Sequence, residues 1–163
     1  MGIVSDEQRN QMIVNDVTNA LAEGRFPLIL TERRGHLEKL AHLLEGRADL
    51  IILLYGGMKK RTIKEVFEKL KESSHNIRKI ILATGSYIGE GFDETRLDTL
   101  FLTMPSSFKG RIVQYAGRLH RYHEGKQNIK IYDYVDKNVS MLERMFQKMA
   151  KTYRMLGYSI DYC

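Results

Sequence analysis

Apolar positions recur along this chain in two alternating rhythms. Ile13, Val17, Ala20 and Leu21 fall on one face of a helix, opened by the capping-box pattern Ser5-Asp6-Glu7-Gln8 and closed by Gly24. Phe26 to Thr31 is a short continuous apolar run, the mark of a strand buried on both faces. Helical spacing returns at Leu37, Leu40, Ala41 and Leu44, with Gly46 behind it. Leu50 to Tyr55 predicts a second buried strand, ended by Gly56-Gly57. Ile63, Val66, Phe67 and Leu70 mark the next helix, and Lys79 to Ala83 a third strand. Asp98 to Thr103 predicts a fourth strand before Pro105, a helix follows over Gly110 to about Leu119, and Asn128 to Val135 is a last strand. Leu142, Met145, Phe146, Met149 and Tyr153 then repeat at the spacing of a long amphipathic helix.

Strands that alternate with helices and are apolar on both faces predict an open, mostly parallel α/β sheet with helices on either side. Ligands of such sheets bind at the carboxyl ends of the strands. Three loops there carry unusual chemistry: those after Thr31, after Ala83 and around Arg118. No boundary interrupts residues 1–137, and residues 138–163 read as a helical extension packed on that domain.

Composition narrows the partners. The 163 residues carry a net charge of +6, spread along the chain, which favours anionic partners. The single cysteine, Cys163, excludes an internal disulfide and a thiolate zinc cluster and fits an intracellular, cytoplasmic setting, nucleoid association included. The apolar runs are too short to span a bilayer as helices, so no membrane partner is expected.

The loop from Ala83 to Asp93 holds three glycines, Gly85, Gly89 and Gly91, and two carboxylates, Glu90 and Asp93. Glycine-rich turns expose backbone N–H groups to phosphate, although a long surface loop uses glycine in the same way. Further on, Gln114-Tyr115-Ala116-Gly117-Arg118-Leu119-His120-Arg121 sets two arginines three residues apart, on one side of a helical turn. Two planar, permanently charged forks so placed can reach a single anion. His120 and His123 stand at i and i+3 without a third ligand nearby in sequence, and no metal site is expected. Ser86 and His120 lack an orienting acid and are not read as a catalytic pair. Met145, Phe146, Met149 and Tyr153 are read as packing, and Lys148, Lys151 and Arg154 as a solvated face.

These segments resemble conserved motifs of superfamily 2 helicases. Gln114 to Arg121 is similar to motif VI, Q-x-x-G-R-x-x-R, and Ala83 to Asp93 to motif V. Leu28 to Arg34 stands where motif IV would, and Tyr55-Gly56 with Lys59 to Arg61 resembles the strand-to-helix turn that meets nucleic acid. The resemblance runs from about Ser5 to Val135 and is to the second, C-terminal RecA-like lobe. Thr95 to Leu102 and Tyr132-Asp133-Tyr134 are similar to the DEAD/DEAH-type branch of restriction-enzyme motor subunits and repair helicases.

The resemblance implies roles residue by residue. Arg121 would be the arginine finger toward the γ-phosphate of ATP, with Arg118 beside it and Gln114 orienting the site. Asp93 would accept from ribose hydroxyls, with Gly91 and Gly117 allowing close approach. Thr84, Gly56, Lys59, Arg61 and Arg33 would meet the phosphates of DNA or RNA, with Glu32 and Arg34 near the strand or cleft. Gly85 departs from the DEAD-box pattern, which places aspartate after the motif V threonine, and this favours a DNA-directed relative. The sequence holds no G-x-x-x-x-G-K-[ST] and no D-E-x-[HD]. The expectation is therefore one lobe of an ATP-dependent helicase or translocase, inactive alone. ATP and Mg²⁺ would be bound mainly by the first RecA-like lobe of the same protein. The alternatives are a stand-alone nucleic-acid-binding module with no ATPase activity and, by fold analogy only, a sugar-nucleotide transferase.

Overall fold

The computed structural model describes residues 7–73, 76–84, 96–103 and 130–134. In chain order these form α1 (Glu7–Ala22), β1 (Pro27–Thr31), α2 (Arg34–Leu43), β2 (Leu50–Leu54), α3 (Lys60–Glu72), β3 (Lys79–Thr84), β4 (Thr99–Leu102) and β5 (Lys130–Asp133). The described strands make one sheet of order β2-β3-β1-β4-β5, parallel at every pairing. Leu28 lies opposite Ile81 on one side and Leu100 on the other, so β1 is central.

Period-two alternation divides the strands' side chains between two cores. Leu28, Leu30, Ile81, Ala83, Leu100 and Leu102 face α3, whose Leu70 is buried there with Ile63, Val66 and Phe67 packed alongside. Ile29, Ile80, Leu82 and Phe101 face α1 and α2, joined by Ile13, Val17, Leu21, Leu37, Leu40 and Leu44. Phe101 is stacked on Tyr132 of the neighbouring strand, centroids 4.5 Å apart and rings 10° from parallel. Every residue of β1, β3 and β4 is buried, as continuous apolar runs require. In β2 only Ile52 and Leu54 are fully buried, because that strand is an edge of the sheet.

The expected helix stops also stand. Gly24 and Gly46 adopt φ of +80° and +81°, a left-handed geometry that costs a glycine little. Element bounds fall within a residue or two of the periodicity. The motif VI helix, the C-terminal amphipathic helix and Ser5-Asp6 of the capping box lie outside the described residues.

At the amino ends of the strands, Asp98 holds the sheet edge together. Its carboxylate accepts from the Phe26 N–H at 2.9 Å and from the Thr99 hydroxyl at 3.0 Å. Arg25 spans the same corner, donating to the Asp98 carbonyl at 3.0 Å and to Thr99 Oγ1 at 2.6 Å. At the opposite ends of β1 and β2 stand the turns that lead into α2 and α3.

Candidate nucleic-acid interface

Three adjacent strands deliver the described part of the site. β3 lies between β2 and β1, and its last residue, Thr84, is in register with Thr31 at the end of β1. Thr84 is buried, with 6% of its surface exposed. Thr31 is buried as well, and its hydroxyl donates to the Arg33 carbonyl at 3.2 Å, fixing the turn that leads into α2.

Both helices that start at this face start the same way. Arg33 is the N-cap of α2 and Lys59 the N-cap of α3, and neither makes a side-chain capping hydrogen bond. Neither helix has an acid in its first turn. Arg34 opens α2, and Lys60 and Arg61 open α3. α1 shows the ordinary arrangement, with Glu7 in its first turn. Cations at a helix N-terminus oppose the macrodipole, at about 0.3–1 kcal/mol each near a surface. Each such start gains from an anion, because its first N–H groups and its side chains both seek negative charge; α2 and α3 cover opposite sides of the sheet and share its carboxyl-end rim.

The turn after β2 brings the second basic group in. Tyr55 N–H donates to Met58 Sδ at 3.4 Å, which curls the chain through Gly56 and Gly57. Gly57 has φ +89°, where a larger residue would be strained although there is space for a Cβ. Gly56, Gly57, Lys59, Lys60, Arg61 and Arg33 are all exposed. Arg61 forms only a surface pair with Glu65, at 3.5 Å, which holds it weakly.

Arg34 links the two loops. Its guanidinium carbon lies 4.0 Å from the centre of the Tyr55 ring, Nη2 donates to the Tyr55 hydroxyl at 3.1 Å, and Nε donates to Glu38 at 3.0 Å. Periodicity gave no sign of this stack, since its partners are 21 residues apart and meet only once β1 and β2 share a sheet.

Behind the interface, α2 is anchored to α1 by a buried polar pair. His36 Nε2 is 2.9 Å from Asn10 Oδ1, and neither residue is exposed. With the amide oxygen accepting, the proton sits on Nε2 and the Nδ1 lone pair is enclosed. Burial, reinforced by the charges of Arg9 and Lys39, pushes the His36 pKa down to about 4. α1 is tied in turn to the end of β5: Arg9 donates to the Tyr134 carbonyl, and the Tyr134 hydroxyl donates to Asp16 at 2.6 Å. Burial and that hydrogen bond both raise the Tyr134 phenol's pKa.

The structure thus brings together Arg33, Gly56, Lys59, Arg61 and Thr84 of the residues expected from sequence. Gly91, Asp93, Gln114, Gly117, Arg118 and Arg121 lie outside the described residues. No group of three or more metal-ligating side chains occurs among the described residues, and no described helix is long and apolar enough to cross a membrane.

The chain is similar to known proteins in sequence and in fold. The chain resembles the transcript termination protein OPG145 of Variola virus, with 27% identity over 158 residues that cover 96% of this chain and 31% of that protein. It is 31% identical over 161 residues to protein 161L of Invertebrate iridescent virus 6, covering 94% of this chain and 35% of that one. It thus spans about a third of the length of these curated relatives. Among solved structures, the C-terminal part of the Fun30 ATPase domain matches 85% of this chain and 44% of its own, with a TM-score of 0.69 at 17% identity. T4 UvsW matches 94% of this chain and 33% of its own, also at 0.69, with 16% identity. Domain 2 of the Mss116p DEAD-box helicase, solved bound to an RNA duplex, gives 0.66 at 15% identity, over 89% of this chain and 56% of its own. Residues 9–123 match the helicase conserved C-terminal domain, and the chain belongs to that family.

Proposed function

We propose that this chain is the second motor lobe of an ATP-dependent helicase or translocase, gripping the phosphates of a nucleic-acid strand with the carboxyl ends of β1, β2 and β3. The observation that carries this reading is the pair of acid-free helix starts without side-chain caps at Arg33 and Lys59, with Arg34, Lys60 and Arg61, at the carboxyl end of the sheet in a helicase-family fold. Such a surface holds phosphate oxygens without reading sequence, as a motor that steps along any strand requires. Thr84, at the end of β3 between β1 and β2, is assigned to the phosphates of the strand on the motif V resemblance.

In this reading the opposite partner is a first RecA-like lobe carrying the phosphate loop and the magnesium ligands. When bound, ATP with Mg²⁺ supplies the phosphoryl chemistry, and this chain supplies charge. Arg121 acts as the arginine finger, Arg118 sits beside it, Gln114 orients the site, and Gly91, Asp93 and Gly117 shape the nucleotide's edge. DNA is the favoured strand, on the sequence ground that Gly85 replaces the DEAD-box aspartate.

The test is steady-state ATP hydrolysis by a protein carrying both lobes, with and without single-stranded DNA. Arg121→Ala should lower strand-stimulated kcat by a factor on the order of 10³ while nucleotide affinity stays nearly constant. A loss confined to affinity would remove the finger assignment.

A further inference from the structure

We propose that the Arg34–Tyr55 stack is a seat for one unpaired nucleobase of the bound strand. The proposal rests on the nucleic-acid reading above and adds a base contact to a surface otherwise suited to phosphates.

The geometry separates Arg34 from its basic neighbours. The Nε edge of its guanidinium is held by Glu38 and the adjacent Nη2 by the Tyr55 hydroxyl, at 3.0 and 3.1 Å. These two nitrogens form the side-on fork with which arginine takes a phosphate. Glu38 also sets a negative charge where that phosphate would come. The three other N–H groups, two on Nη1 and one on Nη2, are not used in these contacts, and the flat surface of the cation is on offer beside them. The guanidinium carbon stands over the Tyr55 ring at 4.0 Å, tilted so that Nη2 reaches the ring's own hydroxyl, and 59% of the side chain is exposed.

The stack is backed by the fold. Tyr55 packs against the core beneath α1 and α2, and its N–H is engaged by Met58. The ring rests on the core and the guanidinium on the ring, so an incoming base meets a cation already ordered. Guanidinium planes accept unstacked bases in this manner, and each such stack is worth a substantial part of single-strand affinity. The position suits a strand, because the stack joins the loops that follow the two strands flanking β3. Arg33 and Lys59, at the neighbouring helix starts, then hold the phosphates on either side.

Fluorescence anisotropy of the whole chain tests this with two labelled strands of equal length and charge. One is oligo-dT and the other carries abasic tetrahydrofuran sugars throughout. The wild-type chain should bind oligo-dT about tenfold more tightly than the abasic strand. Arg34→Lys, which keeps the charge and loses the plane, should bind both strands at the abasic level with an unchanged salt slope. Tyr55→Leu, which keeps apolar packing and loses the ring, should do the same. Thermal melts of each variant confirm folding. Equal binding of the two strands by the wild type, or wild-type behaviour of Arg34→Lys on oligo-dT, overturns the base seat while salt-dependent binding still upholds the phosphate reading. Failure of the wild-type chain to bind either strand at low salt overturns both.

Discussion

His36 gives this lobe a built-in sensitivity to mild acid. Its ring is fully buried against Asn10, and its pKa falls from 6.5 to about 4, chiefly through burial and secondarily through Arg9 and Lys39. The sign follows from the direction. As the pH drops, the unfolded chain takes up the proton first, so the stability is complete above pH 6.5 and is lost progressively down to pH 4. The full effect is about 3 kcal/mol, of which about 2 kcal/mol is gone by pH 5. For a chain of this size that lowers Tm by about 4–8 °C. Carboxylates titrate in the same range, so the informative quantity is a difference between two proteins. His36→Gln keeps an N–H donor for Asn10 and cannot titrate. Thermal or urea melts from pH 7.5 to 5 should show the wild type losing about 2 kcal/mol more than His36→Gln. Parallel pH profiles for the two proteins would refute the reasoning, because they would mean that the ring takes up its proton equally in both states.

Other perturbations probe separate parts of the account. Phe101→Ala removes a fully buried ring stacked on Tyr132 and should cost about 3–5 kcal/mol in urea unfolding; a cost under 1 kcal/mol would show that the core closes over the gap. Tyr134→Phe deletes the hydroxyl bonded to Asp16 and should destabilise by about 1.5–3 kcal/mol, while Asp16→Asn in the Tyr134→Phe background should add little if the two act as one pair. Arg33→Ala and Lys59→Ala should each weaken binding of single strands of any sequence and each reduce the slope of log affinity against log salt by about 0.7, read by anisotropy titration. A sequence-selective loss would contradict pure phosphate contact.

Much of this architecture was legible because burial on both faces leaves a simple trace. The strands have apolar middles at Leu28 to Leu30, Ile80 to Ala83 and Leu100 to Leu102, and short runs of that kind between turn residues suit strands covered on both sides. Leu50 to Leu54 carries the same trace yet half of it is less buried, since a sequence pattern does not say which strand is an edge. Gly24 and Gly46 announced helix ends because left-handed backbone is costly for other residues. The basic residues of the strand-end face were visible as residue types, and Arg33, Lys59 and Arg61 take their places there. The sequence did not show that α2 and α3 both begin without side-chain caps, because periodicity does not place the first helical residue; once Arg33 and Lys59 stand at the N-caps, neither side chain has an acceptor to offer. The Arg34–Tyr55 stack and the Asn10–His36 and Asp16–Tyr134 pairs escaped for a related reason. Each joins elements far apart in the chain, and no local period encodes a partner that only the sheet order supplies.

The claim on which the rest depends is that the carboxyl ends of β1, β2 and β3 hold a nucleic-acid backbone. The affinity of the chain for labelled single-stranded DNA, measured from low to physiological salt, tests it most directly. The account predicts a linear fall of log affinity with log salt, with a slope of about −0.7 for each phosphate held, and therefore about −2 if Arg33, Lys59 and Arg61 each hold one. A flat dependence, or a slope unmoved when Arg33 and Lys59 are replaced together, would contradict it.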